Sequence, residues 1–264
     1  MPRTIGWLAV IAVAASIAAY LWFQRERPAP PQLPAPPATE APPPAPAPAP
    51  KTEYPLPPSE AAEPLPALGE SDAPLRDGLS GIVGDRALGQ HAVFDDFVRR
   101  VVATVDNLPR RKLSLRMLPV KTVPGPFPVA SDGEGLRAAP QNSARYAPYV
   151  RLAEAIDAKK VVALYVRFYP LFQEAYRDLG YPDARFNDRL MVAIDDLLAA
   201  PEVKAPLRLT QPKVMYEYAD PELEARSAGQ KIMMRIGNAN AARIKEKLRA
   251  IRAELSRLAQ TVPR

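Results

Sequence analysis

The chain has 264 residues, of which 33 are proline, one is histidine and none is cysteine. The lack of cysteine excludes a lipoprotein anchor, thiol chemistry and Fe–S clusters, and a single histidine argues against a zinc site. The net charge is +6, and residues 71–264 carry +8, because residues 1–27 contribute +2 and residues 28–70 contribute −4. This basic region fits an anionic partner such as phospholipid, cell-wall polymer or nucleic acid, and equally a solvated surface.

Residues 1–27 are predicted to form an N-terminal membrane anchor. Ile5–Phe23 is an uncharged apolar run, close to the roughly 20 residues that a spanning helix needs. The apolar sequence continues well past Ala12-Val-Ala14, the best match to a signal-peptidase site, and Tyr20 and Trp22 are typical of a membrane interface. We therefore expect an uncleaved single-pass anchor in a bacterial inner membrane, with a cytoplasmic N-terminus and a periplasmic globular domain.

Residues 28–70 are predicted to be a disordered linker rich in proline and alanine. Proline fixes φ and lacks a backbone N–H, so neither helix nor sheet is expected. At about 3.1 Å per residue, some 40 residues reach on the order of 120 Å, the scale of a periplasm. This composition fits three alternatives: a spacer whose length matters for function, a docking segment for proline-binding domains, or a flexible tether of no particular length.

Residues 71–259 are predicted to fold as a compact, mainly α-helical domain with one or two short β-hairpins, followed by a tail at 260–264. Apolar residues at helical spacing predict the helices, Asp72 and Asp157 are expected to cap two of them, and Gly180 is expected to end a helix that Pro170 kinks or splits. Helices are expected at 75–83, 93–107, 146–156, 158–179, 184–199, 221–236 and 238–259, and strands within 127–139, at 207–209 and at 214–218.

The last predicted helix has an apolar seam at spacings of four, three, four and three residues: Ile244, Leu248, Ile251, Leu255 and Leu258. The seam covers barely two heptads, so it predicts either a dimer contact or packing onto the same domain. The basic face of this helix could bind nucleic acid only if the domain is cytoplasmic.

Three sequence blocks resemble the bacterial family DUF3014, over about residues 70–259. They are 95–109, then 169–182 with 186–190, and then 211–224 with 227–231. The resemblance implies a cell-envelope context and supplies neither an activity nor catalytic residues.

No catalytic residue, metal site or cofactor is predicted, because the sequence lacks the common nucleophile, phosphate-binding and calcium-loop motifs. Glu174, Asp188 and Asp195 lie among aromatic residues, which would suit a cell-wall glycan hydrolase or, alternatively, a helix surface beside a core. Asn187 or Asp188 is expected to cap a helix, and Arg189 to pair with Glu174 or Asp178. Gln211, Lys213 and Gln230 are expected to bond buried backbone groups.

A ligand groove is predicted from Tyr165, Tyr169, Arg185, Asp188 and Tyr216. The favoured function is a non-enzymatic binding or scaffold domain, held away from the membrane by the proline-rich spacer. Its partner would be an envelope protein or the cell wall, and the alternative is the glycan hydrolase. The sequence does not predict the oligomeric state.

Overall fold

A computed structural model describes residues 53–58, 64–133, 135–204 and 206–262, all within the unit Ala49–Arg264. The predicted anchor Ile5–Phe23 and the first part of the predicted linker lie outside these residues. In the part of the chain that is described, no helix is both long and apolar enough to span a membrane.

The described residues contain nine α-helices and four short strands, so the prediction of a mainly helical domain is confirmed. Short 3-10 turns at Leu68–Glu70, Leu115–Met117 and Pro140–Tyr146 connect some of them. The helices are α1 Asp72–Val83, α2 Asp85–His91, α3 Phe97–Asn107, α4 Ala147–Ala155, α5 Ala158–Asp178, α6 Phe186–Leu198, α7 Pro221–Glu224, α8 Ala228–Arg235 and α9 Asn238–Thr261; the strands are β1 Val129–Asp132, β2 Gly135–Ala138, β3 Arg208–Thr210 and β4 Glu217–Tyr218.

The two predicted hairpins form one antiparallel sheet in the order β1-β2-β3-β4. The pairing of Leu136 with Leu209 joins the hairpins, although they are far apart in sequence. The carboxylate of Asp132 on β1 reinforces this join with ion pairs to Arg137 on β2, at 2.8 Å, and Arg208 on β3, at 2.7 Å.

Helix α5 is continuous through Pro170, so this proline does not split the helix, and the predicted alternative, a kink, stays a prediction. Proline removes one backbone hydrogen bond from a helix interior. Phe168, Leu171 and Phe172, on both sides of Pro170, are buried in the core, and their packing offsets this cost. The predicted cap is confirmed, since the Asp157 carboxylate accepts a bond from the Lys160 N–H at 2.9 Å.

The core lies where α3, α5 and α6 pack around Phe186, whose side chain is completely buried. A second apolar cluster joins α9 to α5 and α6, and Leu255 lies at its centre, also completely buried. The seam of α9 therefore packs onto its own domain, as one of the two interpretations predicted.

Helix α3 begins at Phe97 rather than Val93 because Asp96 adopts a left-handed conformation, with φ of 57°. The Asp72 carboxylate accepts hydrogen bonds from the N–H groups of Asp96 and Phe97 at 2.9 and 2.8 Å. Asp72 was predicted to cap its own helix, and instead it satisfies the free donors at the start of α3.

Candidate functional site

Four of the five predicted groove residues lie together where α5 meets α6. Tyr165 and Tyr169 are one turn apart on α5, with ring centroids at 5.7 Å. Arg185 directly precedes α6, and Asp188 lies in its first turn. The charges of Arg185 and Asp188 both act on the Tyr169 phenol.

The polar groups of this region form hydrogen bonds within the chain. The Tyr169 hydroxyl donates to Oε1 of Gln173 at 2.9 Å, and the Gln173 amide bonds the backbone of Ala184 and Phe186 at 2.8 and 3.0 Å. These bonds fix the loop between α5 and α6. Burial raises the pKa of both tyrosines, that of Tyr165 well above its usual range, so both phenols stay protonated donors.

The start of α6 binds the end of the proline-rich segment, which we call the arm. Asn187 and Asp188 form this binding site, which we call the arm seat. The Tyr54 N–H donates to Oδ1 of Asp188 at 2.8 Å, and the Tyr54 carbonyl accepts from Nδ2 of Asn187 at 2.8 Å. The Glu53 N–H lies 3.4 Å from Oδ2 of Asp188. Asn187 is almost completely buried, and its Oδ1 accepts from the Tyr165 hydroxyl at 3.3 Å. Asn187 and Asp188 therefore bind the arm. The prediction that one of them caps a helix is wrong for α6, which has no side-chain cap.

Beyond the seat, the arm crosses α5 and α9. Tyr54 and Leu56 pack against the cluster that contains Leu255. Pro57 and Pro58 border a groove of about 460 Å³ that helix residues Val162, Val166 and Leu258, among others, also line.

The arm continues to contact the domain after the groove. Leu65 packs against the main core and Leu68 is buried within it. The folded region thus begins before residue 71, and the described residues between 53 and 70 contact the domain instead of forming a free linker.

The fifth predicted residue, Tyr216, lies in a different cluster beside the sheet. Its ring is 6.2 Å from that of Phe127, over which the Arg235 guanidinium lies at 5.2 Å. These residues line a pocket of about 200 Å³ together with Leu115 and others. Sequence reasoning missed Phe127 and Arg235, because Phe127 meets Tyr216 in an apolar cluster beside the sheet and Arg235 comes from helix α8, and neither contact follows from a local sequence pattern.

Arg189 pairs with Asp106 on α3, at 3.0 Å, and not with Glu174 or Asp178 as predicted. The Asp106 side chain is only 6% exposed and is also bonded to Arg110 at 2.8 Å. Asp178 instead lies 3.4 Å from Arg99. The cluster around Asp106 ties α3 to α6 through Arg189, which directly follows Asp188 of the arm seat.

Helix α8 docks onto α6 through the last of the sequence blocks. The Ser227 hydroxyl caps α8, accepting from the Gln230 N–H at 3.0 Å, and donates to Oδ2 of Asp196 at 2.6 Å. The Gln230 amide bonds the Asp196 carbonyl at 3.1 Å and its Oδ1 at 3.0 Å. Gln230 therefore bonds a backbone group as expected, although Asp196 is only half-buried.

Two of the carboxylates considered for catalysis take part in contacts within the chain. Asp188 binds the arm, and Asp195 forms a two-bond contact with Arg252, at 2.5 and 3.1 Å, which raises the pKa of that guanidinium. Within the described ranges, no group of three or more histidine, aspartate and glutamate residues could hold a metal ion.

A family model with the description "Protein of unknown function (DUF3014)" matches residues 97–252. The chain belongs to the DUF3014 family. Searches of curated proteins and of solved structures found no significant match. The match is shorter than the predicted 70–259 and extends from the start of α3 into α9. The DUF3014 region thus includes Asn187 and Asp188, whereas Tyr54 precedes it.

Proposed function

We propose that this DUF3014 protein is a non-enzymatic scaffold of the bacterial cell envelope. In this proposal, Ile5–Phe23 anchors the chain once in the inner membrane with its N-terminus in the cytoplasm. The proline-rich arm then holds the domain in the periplasm, where it binds an envelope protein or the cell wall. The observation that carries the proposal is the arm seat, in which Asn187 and Asp188 bind the backbone of Tyr54.

The arm seat supports a scaffold because it fixes the point at which the arm joins the domain. Its short hydrogen bonds involve a charged carboxylate and a buried amide, which are stronger and more directional than bonds between exposed neutral groups. In this proposal, the connection between the predicted anchor and the seat runs from residue 28 to residue 52 instead of to residue 70. These roughly 25 residues would reach roughly 78 Å at about 3.1 Å per residue if they are extended as their composition predicts.

The glycan hydrolase gains no support from this geometry. A glycosidase needs two carboxyl groups that face one cleft on opposite sides of the sugar. Asp188 accepts bonds from the arm, and Asp195 is paired with Arg252. Two of the three carboxylates considered for catalysis therefore stabilise the chain.

The test is the topology of the full chain in bacterial cells. A reporter active only in the periplasm and one active only in the cytoplasm are fused in turn to Arg264, and the N-terminal segment is checked for cleavage. We expect an uncleaved protein with periplasmic activity. As a matched control, Ile11→Arg places a charge in the apolar run and should abolish export, whereas Ile11→Leu should not. A cytoplasmic C-terminus or a cleaved N-terminus would overturn the proposal.

A further inference from the structure

Several aliphatic side chains project into solvent along one edge of the domain, which we call the apolar edge and define as Leu115, Val214, Met215 and Ile232. Val214 is 85% exposed, Met215 67% and Leu115 62%. Leu115 and Ile232 line the same pocket as Tyr216, and Val214 and Met215 directly precede Tyr216 in the chain. Two of the four thus line this pocket and the other two adjoin a residue that lines it, and an exposed apolar patch of this kind is typical of an interaction surface.

Cations accompany the apolar edge. Residues 107–131 contain five arginine or lysine residues and no acidic residue. Three of them, Arg111, Lys112 and Arg116, are exposed on both sides of Leu115, and Lys213 is exposed beside Val214.

The other charged groups around the pocket do not cancel this charge. Glu224 is paired with Lys231 at 2.7 Å, and Glu217 is the other acidic residue that lines the pocket. Arg235 lies over the ring of Phe127 and adds a further positive charge. The edge therefore has a net positive charge.

We propose that the apolar edge binds an anionic phospholipid surface. Leu115, Val214 and Met215 would enter the boundary between headgroups and acyl chains, while Lys112, Arg116 and neighbouring cations contact the phosphates. Peripheral membrane surfaces combine these two features, and their binding depends on the anionic lipid content.

The side-chain chemistry favours lipid over a protein or a nucleic acid. Protein interfaces are rich in aromatic residues, methionine and arginine and poor in lysine, and single-stranded nucleic acids stack on exposed aromatic rings. The most exposed side chains here are a valine, a methionine and a leucine. Aliphatic chains without hydrogen-bonding groups gain little from a phosphate backbone and are well suited to an acyl layer.

Because the chain has no native cysteine, an introduced cysteine can be labelled at a single site, and the test relies on this. Single cysteines are introduced into the full chain as Leu115→Cys and Met215→Cys, and as Val192→Cys on α6, where the side chain is 50% exposed and does not line the pocket of the apolar edge. Each variant carries an environment-sensitive fluorophore and is measured with vesicles of phosphatidylcholine alone or with phosphatidylglycerol. We expect a blue shift and quenching by spin-labelled lipid at positions 115 and 215 with the anionic vesicles only, and neither effect at position 192.

Charge variants test the same surface independently. The double variant Lys112→Gln with Arg116→Gln should lower the equilibrium constant for binding of the edge to anionic vesicles about thirtyfold. Each cation contributes about 1 kcal/mol near such a surface, and each 1.4 kcal/mol changes an equilibrium constant about tenfold. Arg177→Gln with Arg249→Gln, two exposed cations on α5 and α9, is the matched control and should change it little.

Three results would overturn the proposal: no shift at positions 115 and 215, an equal shift at position 192, or equal shifts with both vesicle types. A shift caused by nucleic acid or by a purified envelope protein, and not by anionic vesicles, would assign the edge to that partner instead. The fluorophore reports only on its own surroundings. The result therefore separates failure of this proposal from failure of the anchor, which the topology reporters test.

Discussion

Replacing Gly229 with alanine tests how tightly α8 packs onto α6. A Cβ at this position would lie 2.8 Å from Cδ2 of Leu197 and 3.2 Å from both Oδ2 of Asp196 and the carbonyl oxygen of Leu108. The Leu197 methyl can rotate away. The Leu108 carbonyl cannot move as easily, because it is backbone and accepts the Gly229 N–H at 2.9 Å.

The expected cost follows from two opposing contributions. Forcing a methyl group into a packed interface costs about 1–3 kcal/mol. Alanine has a better helix propensity than glycine and returns at most about 1 kcal/mol. We therefore expect Gly229→Ala to lower the free energy of unfolding by about 1–2 kcal/mol, and each kcal/mol to lower Tm by about 2–4 °C for a domain of this size.

Gly81→Ala is the matched control, because Gly81 lies inside α1 and a Cβ there would meet nothing within 4 Å. This variant should gain up to about 1 kcal/mol. Unfolding in urea is followed by far-ultraviolet circular dichroism, because both tryptophans, Trp7 and Trp22, precede the domain. A Gly229→Ala variant as stable as the wild type, or a Gly81→Ala variant that is equally destabilised, would refute the packing argument.

Three further predictions concern the core and two ion clusters. Leu255→Ala should lower the free energy of unfolding by about 2–5 kcal/mol. The Tm of the wild type should not depend on protein concentration, because the seam packs within one chain, and a concentration-dependent Tm would favour a dimer seam. Asp106→Ala leaves the partly buried Arg189 without its carboxylate and should cost about 3 kcal/mol in urea unfolding; a loss below about 1 kcal/mol, typical of a surface pair, would contradict this. Hydrogen bonds from Arg208 and then Arg137 lower the pKa of Asp132 from 3.8, so its stabilisation is present above about pH 4 and lost as the pH falls through the lowered value. Stability should thus fall more steeply in acid for the wild type than for Asp132→Asn, and parallel pH profiles would show that the pairs contribute nothing.

Most helices could be predicted from the sequence because their apolar residues recur at helical spacing and their ends have local signals. The seam of α9 and the Asp157 cap depend on residues within a few turns of each other, which a linear pattern records. The contact of Asp72 with the start of α3 joins residues 24 and 25 positions apart, and no local pattern records it. The continuity of α5 through Pro170 likewise depends on packing against other helices.

The predicted groove was found in part for the same reason. Tyr165 and Tyr169 are one turn apart, and Asp188 is in the next helix of the same hairpin-like pair, so local reasoning could place them together. Tyr216 meets Phe127 in an apolar cluster of residues that are far apart in the sequence, and local patterns do not specify such a contact. The role of Tyr54 was missed because a proline-rich composition predicts an extended chain and does not show which surface it meets.

The central claim is that the domain holds the end of its own proline-rich arm. Amide hydrogen exchange of Tyr54, measured in the full chain, tests this claim most directly. The Tyr54 N–H should be protected in the wild type and in Asp183→Ala, an exposed site before α6, and lose protection in Asp188→Ala while α5 and α6 stay protected. If the Tyr54 amide of the wild type exchanges as fast as in an unstructured peptide, the arm is not seated and the account is contradicted.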